Sequence, residues 1–287
     1  MSTSVRVGTE STATPGGRRE TLISRIARQT GRMGLLFPAV ALMAVFLVGP
    51  IAYSVYGSLT NAALSGYKAA NPEFVGLENY TELLTSNAFW KAVLLTVIFV
   101  FASAVVGQNI LGLALAMLMR KAPKILSTLV GGVVVIAWVM PEIVAAFALY
   151  AFFSTDGTLN ALLSYIGLGG TTWLLTFPMF SVIMANIWRG TAFSMMVYSA
   201  ALAEVPPDIQ EAAKVDGARG WQRFFFVTLP MIKGSISTNL LLTTLQTLGV
   251  FTLLWVMTGG GPGTQSTTLP VMAYQEAFKN SLIGYGT

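Results

Sequence analysis

Long apolar runs separated by short polar segments set the pattern of this chain. Residues 34–59, 89–119, 125–153, 177–202 and 234–257 are each apolar over at least 24 positions and hold at most one Lys, Arg, Asp or Glu. A helix needs about 20 mostly apolar residues to cross a bilayer. Each run is therefore predicted to be a membrane span, and the fold class to be an all-α polytopic transmembrane bundle. Pro38 and Pro50 are expected to kink the first span or mark its ends. The intervening segments are polar: 61–87, with a short helix expected near 79–84; a Gly-, Ser- and Asn-containing loop over 154–172; a charged stretch over 204–233; and a Gly-rich loop, TGGGPGTQST, followed by an apolar stretch over 269–279. The chain divides into a basic tail, 1–33, and a membrane domain, 34–287.

Composition agrees with this pattern. Charged residues make up 10% of the 287 positions and hydrophobic ones 54%, against about 25% charged in soluble domains. The chain has no Cys and no His. That excludes disulfides, a zinc site built on those ligands, and Ser-His or Cys-His nucleophile pairs. The net charge of +5 reads as a membrane-orientation signal and not as a nucleic-acid signal, because Lys and Arg concentrate in cytoplasmic loops.

If the spans alternate, 13 of the 17 Lys and Arg residues fall on one side of the membrane: those of the tail, Arg120, Lys121, Lys124, Lys214, Arg219, Arg223 and Lys233. Lys68, Lys91 and Lys279 fall on the other side, and Arg189 lies within a span. The N-terminus and the charged stretch near residue 211 are therefore expected in the cytoplasm. In the tail, Leu22, Ile23 and Ile26 alternate with Arg25, Arg28 and Arg32. They are read either as a short helix on the inner leaflet or as a disordered basic tail that only sets orientation. A cleaved signal peptide does not fit, because the first apolar run starts late and is too long.

The charged stretch EAAKVDGARGWQRFFFVTLP, residues 211–230, is the most informative segment. Pro206-Pro207-Asp208 reads as a helix start, and Gly217 as a stop where positive φ is tolerated. Ile209, Ala212 and Ala213 share one face of the resulting short helix. A second short helix is expected over 220–228, with Trp221, Phe224 and Phe225 on its apolar side and Pro230 separating it from the fifth span. From the residues alone, the first helix either packs on its own spans or presents a small-residue face to a soluble partner.

The order Glu211-Ala212-Ala213, Gly217, Val227, Leu229-Pro230, with Asp216 and Ala218, resembles the signature loop of permease subunits of binding-protein-dependent ABC importers of the carbohydrate type. Val227 departs mildly, since Ile is usual there. Phe74-Val75-Gly76-Leu77-Glu78-Asn79-Tyr80, Gly157-Thr158-Leu159-Asn160 and Gly259-Gly260-Gly261-Pro262 are similar to other stretches of the maltose and glycerol-3-phosphate permeases. The resemblance implies a type I importer bundle in a bacterial or archaeal cell membrane. It also implies a coupling helix whose Glu211, Ala212, Ala213, Asp216 and Gly217 dock on a separate ATPase. Implied partners are two ATPase subunits carrying ATP and Mg, a second permease subunit, an extracytoplasmic solute-binding protein facing Gly259, Gly260, Gly261 and Pro262, and a carbohydrate substrate. No cofactor or metal is expected on this chain itself. A sixth span would follow residue 283.

Glu142 and Arg189 are charges at bilayer depth, where burial costs about 2.5–3.5 kcal/mol on insertion scales. They are read as a pair, as flanking a substrate pathway, or as lying nearer an interface. Gln108, Asn109, Asn186 and Gln246 either line that pathway or act as interhelical hydrogen-bond glue, as does Asn239. The loop GGGPGTQST lacks the Gly-Lys-Ser/Thr ending of a phosphate-binding loop, which argues against nucleotide binding there. The alternatives to a transport subunit are a self-sufficient channel or ion-coupled carrier and, with no His or Cys available, a membrane-embedded enzyme.

Overall fold

Backbone placed in an apolar medium must satisfy its own hydrogen bonds, and a single apolar run does so only as a helix. The computed structural model of the chain describes residues 36–287; the two readings of the basic tail lie outside the described residues. Among these residues the chain is helical, with one isolated antiparallel bridge between Thr60 and Phe74. In chain order the principal helices are α1 (Leu36–Ser58), α2 (Glu78–Thr85), α3 (Asn87–Lys121), α4 (Lys124–Val139), α5 (Glu142–Phe153), α6 (Thr158–Tyr165), α7 (Pro178–Ala203), α8 (Pro207–Val215), α9 (Gly220–Met231), α10 (Lys233–Leu248), α11 (Thr252–Met257) and α12 (Leu269–Tyr274).

By length and composition α1 and α3 can each cross a membrane, and up to four crossings result if two bent pairs are each taken as one. The bent pairs correct the expected straight spans. The run at 125–153 is broken: α4 and the helical stretch Glu142–Tyr165 meet at 108°. Pro141 has no N–H and its ring disfavours helical geometry at the preceding residue; Met140 is extended, with φ −57° and ψ 133°. The run at 234–257 is also two helices, because α10 ends at Leu248 and the chain turns at Gly249 before α11. Pro230 does not end the second loop helix. It sits in the last turn of α9, just after wider, π-type turns over Phe224–Thr228, and the 70° bend to α10 falls at Ile232. The loop at 154–172 contains α6, an apolar-rich turn pair that the Gly and Ser content obscured. The short helix expected near 79–84 is α2.

The chain divides into two units, Met1–Tyr56 and Gly57–Thr287. In the first, the apolar side chains of α1 are exposed along its length. In the second, the 26-residue α7 is central. It is long enough to cross a membrane but less apolar than α1 and α3, carrying Arg189 together with the buried Ser181, Asn186, Thr191 and Ser194. One apolar cluster joins α3, α5, α7 and α11 through Phe99, Leu149, Val182 and Leu254. A second joins the far ends of α3 and α7 to the following loop through Ala116, Leu202, Val205 and Ile232.

Most buried positions on α3 step by four, Ala92, Thr96, Val100, Ala104, Gln108, Gly112 and Ala116, with Phe99, Ser103 and Asn109 beside the stripe. Each such step drifts about 40° around a helix of 3.6 residues per turn. The π-type turns over Phe101–Gln108 take back part of that drift and keep the stripe facing α7. The two helices approach closely at Gly112, where an added Cβ would lie 2.4 Å from Ser194 Cβ and 2.9 Å from the Met195 amide nitrogen. Small residues permit such contacts in membranes. Gly112→Ala is expected to cost about 1–3 kcal/mol through overpacking, measured as a lower unfolding midpoint in detergent. Gly132→Ala, in the interior of α4 where a Cβ meets nothing within 4 Å, should not lower the midpoint and should raise it slightly, since Ala is favoured over Gly in a helix by about 1 kcal/mol.

Candidate functional site

The charged loop folds as its residue order suggests. Pro207 occupies the first turn of α8, Asp208 lies beside the positive helix end, and Lys214 lies in the last turn. The helix closes in a Schellman arrangement: Gly217 N–H donates to Lys214 O at 3.1 Å, and Ala218 N–H to Ala213 O at 3.0 Å. Gly217 has φ +82°, a conformation that costs an L-residue about 1–2 kcal/mol. On the inner side Gln210 Nε2 donates to Thr228 Oγ1 at 2.8 Å, tying α8 to α9. At the start of the loop Val205 is buried against Leu202 and Ile232.

This anchoring fixes what α8 presents outward. Glu211, Ala212, Asp216 and Gly217 are exposed, and Ala213 is half-buried. Ile209 is also exposed, and Val215 is 87% exposed. The result is a helix held rigidly from one side, with a small and apolar face open on the other.

The polar residues expected at bilayer depth separate into two groups. Gln108, Asn109 and Asn186 are buried among helices. Gln108 Nε2 donates to the Asn186 carbonyl at 3.1 Å, and Asn186 Nδ2 donates to Ser103 Oγ at 2.8 Å. Asn109 Oδ1 accepts from the Tyr198 hydroxyl and, at 2.8 Å, from Asn239 Nδ2. Asn109 Nδ2 donates to Ala104 O at 2.7 Å and Thr243 Oγ1 at 3.4 Å. Asn239 Nδ2 also donates to Ser194 Oγ at 2.9 Å. The network stitches α3, α7 and α10 together with these side chains buried among the helices. Its further members Ser103, Ser194 and Thr243 were not singled out from the sequence. A signal was present on α10, where Asn239, Thr243 and Thr247 recur every four residues and all three are buried.

The second group is more open. Gln246 is exposed, and Glu142 and Arg189 are half-buried. The two charges do not pair with each other. Glu142 Oε1 accepts from the Leu253 amide at 3.3 Å, while Arg189 Nε is buried without a hydrogen-bond partner.

At the other end of the bundle the Gly-rich loop is a tied structure. Gly259, Gly260 and Gly263 all have positive φ. Gln275 Nε2 donates to Gly259 O at 3.0 Å, Thr267 Oγ1 to Gly260 O at 2.9 Å, and Ser266 Oγ to Gly261 O at 2.9 Å. The Leu269 amide donates to Thr96 Oγ1 of α3 at 2.9 Å. Gly261 and Pro262 line an open groove of about 500 Å³ with Tyr150 and Asp156. Two motif asparagines act as clamps nearby. Asn79 Nδ2 donates to the Ser58 and Thr60 carbonyls at 2.8 and 2.9 Å. Asn160 bonds the Thr155 and Thr171 carbonyls, the Thr171 amide and Trp173 Nε1, at 2.8 to 3.1 Å. Net worth is about 1 kcal/mol per hydrogen bond, so Asn160→Ala is expected to cost roughly 3–4 kcal/mol, read from the shift in unfolding midpoint. Asn160→Asp, which keeps the acceptor, should retain about half.

Among the described residues no group of three or more Asp or Glu could hold a metal ion. The geometry offers an exposed docking helix at one end, a structured loop at the other and a polar-stitched bundle between them.

The profile of the binding-protein-dependent transport system inner membrane component family matches residues 108–285. A trehalose/maltose transport system permease protein of Thermococcus litoralis is 31% identical over 258 residues, covering 88% of this chain and 86% of that protein. A sulfoquinovosyl glycerol transport system permease protein of Agrobacterium fabrum is 34% identical over 261 residues, covering 88% and 82%. A trehalose transport system permease protein of Mycobacterium tuberculosis is 33% identical over 265 residues, covering 92% and 84%. The fold is similar to that of a chain in the crystal structure of a bacterial ABC transporter involved in alginate import, with a TM-score of 0.75 at 24% identity over 92% of this chain and 90% of that one. The profile takes in well over half of the chain and the relatives extend the likeness to most of its length, so this protein belongs to the binding-protein-dependent transport system inner membrane component family.

Proposed function

We propose that the chain is the permease subunit of an ATP-driven importer for a carbohydrate. The observation that carries this reading is α8: a capped, anchored helix whose small and apolar face is open, in a chain with no nucleotide-binding motif of its own. A rigid helix fixed between two span-bearing segments can turn closure of a partner ATPase into movement of the bundle. The sugar assignment is supported by the names of the relatives, two of which are trehalose or maltose permeases and one a sulfoquinovosyl glycerol permease.

In this reading Glu211, Ala212, Ala213, Asp216 and Gly217 meet the ATPase, where ATP and Mg are bound. A second permease subunit completes the pathway. Gly259, Gly260, Gly261 and Pro262 lie toward an extracytoplasmic binding protein; one similar transporter has been crystallised with an alginate pentasaccharide-bound periplasmic protein. We count five crossings, with α7 among them because its polar residues face neighbouring helices, and place the tail and α8 in the cytoplasm on the charge bias. Glu142, Arg189 and Gln246 face the pathway, while Gln108, Asn109 and Asn186 hold the helices around it.

Reconstitution tests the proposal. Liposomes holding the complete complex should accumulate sugar only with ATP and binding protein, and liposomes holding this chain alone should accumulate none. Uptake by the isolated chain would instead establish a self-sufficient carrier or channel.

A further inference from the structure

Where the end of α3 meets the loop, the structure forms a cleft of about 330 Å³. Arg120 and Lys121 reach it from α3 and Arg223 from α9; no Asp or Glu is among its lining residues. Arg223 Nε is buried and has no hydrogen-bond partner. A guanidinium stays charged at any physiological pH, so the half-buried Arg223, with its Nε sealed and unpaired, favours an anion beside it. Gln210 and Thr228 add polar groups to the wall, while Met117, Leu202 and Phe224 make the rest of it apolar.

The two faces of α9 indicate the kind of anion. Gly220, Arg223, Phe224 and Thr228, spaced i, i+3, i+4 and i+8, line the cleft. Trp221, Phe225 and Phe226 turn away from it and are 57%, 54% and 71% exposed. An exposed aromatic face beside a basic one is the pattern of a helix lying in the membrane–water interface. A soluble anion would meet the cations but leave these rings in water. A phospholipid satisfies both, with its phosphate in the cleft and its acyl chains against the rings.

We propose that this cleft is a binding site for the phosphate headgroup of an anionic phospholipid in the leaflet on the loop's side of the membrane. Basic pockets between helix ends can hold such headgroups. The proposal rests on the membrane-spanning reading and not on coupling to an ATPase, and its readout is lipid retention, so a failure of the transport reading leaves it intact.

The test uses the assembled complex in bilayer discs of phosphatidylglycerol and phosphatidylcholine with matched acyl chains, released for native mass spectrometry. Wild type should retain phosphatidylglycerol in preference. Neutralising Arg120→Gln and Lys121→Gln, whose side chains are exposed and make no internal hydrogen bond among the described residues, should lower that retention roughly fivefold per cation removed. Retention of phosphatidylcholine should not change, and Arg120→Lys should keep most of the preference. Equal retention of the two lipids by wild type would overturn the proposal, as would a preference unaffected by the double substitution. Occupation by inorganic phosphate in detergent, without any lipid preference in discs, would reassign the site to a soluble anion and overturn it as well.

Discussion

Ala212→Trp is expected to abolish ATP-driven uptake while leaving the chain as stable as wild type. Ala212 lies on the open face of α8, so an indole there meets no part of its own chain. Its cost to the helix is bounded by intrinsic propensity, below about 0.7 kcal/mol. A partner surface shaped to a methyl group has no room for it, and overpacking in a close contact costs about 1–3 kcal/mol or more. The measurement is paired: sugar accumulation by reconstituted complex, and the thermal midpoint of the purified chain. Loss of uptake with an unchanged midpoint places α8 at a working interface. Retained uptake would remove α8 from the coupling path. Gln210→Leu is a useful companion, because it breaks the 2.8 Å bond to Thr228 and loosens the helix from behind without touching its open face.

Asn109→Leu should be the most damaging substitution in the polar core, with an expected loss of about 2–4 kcal/mol. Two magnitudes compete here. Interhelical hydrogen bonds in membranes are worth about 0.6 kcal/mol on average, which would make the change mild. Asn109, however, is a hub bonded to Tyr198, Asn239, Thr243 and the Ala104 carbonyl. Its partners Tyr198, Asn239 and Thr243 are almost completely buried. Asn239 Nδ2 keeps Ser194 Oγ and Thr243 Oγ1 keeps the Asn239 carbonyl, but the Tyr198 hydroxyl proton loses its acceptor. A buried donor left without a partner costs about 1–3 kcal/mol, and this one cannot rehydrate. The orphaning cost therefore dominates. Unfolding in detergent should show the full loss for Asn109→Leu, a smaller loss for Tyr198→Phe, and a double variant well short of their sum, since the two act in one network. Gln246→Leu, at an exposed position on α10, should stay within about 0.5 kcal/mol. Equal effects at Asn109 and Gln246 would refute the division of the amides into glue and pathway.

The sequence made the loop legible almost residue by residue, because its signals are local. A Pro start, an acidic first turn and a Gly at positive φ act within one or two helical turns, and α8 and Gly217 follow them. The bends were not legible from hydropathy, which averages over a window and is blind to direction. The run at 125–153 is apolar but for Ser127, Thr128 and Glu142, yet the chain turns by 108° at Pro141. The fate of the amides was out of reach for a different reason. Gln108 and Gln246 look alike as Gln residues in apolar surroundings, and only the helix packed opposite decides that one is sealed and the other open. The clamps at Asn79 and Asn160 lie inside stretches that the family resemblance had marked, but Asn79 reaches a carbonyl 21 residues away, beyond any periodicity.

The continuity of α3 has a mechanical consequence. The helix runs unbroken for 35 residues, or about 52 Å at 1.5 Å per residue. Near one end, Thr96 holds the first residue of α12 beside the Gly-rich loop. At the other end, Arg120 and Lys121 border the α8–α9 segment. Between them, the wider turns over Phe101–Gln108 stop at Asn109, the hub of the polar network. α3 is thus a rod held near both ends and tied to its neighbours at Asn109 in between. If such a rod tilts about that tie its two ends move in opposite senses, so a push at the loop would arrive at the far end as a pull.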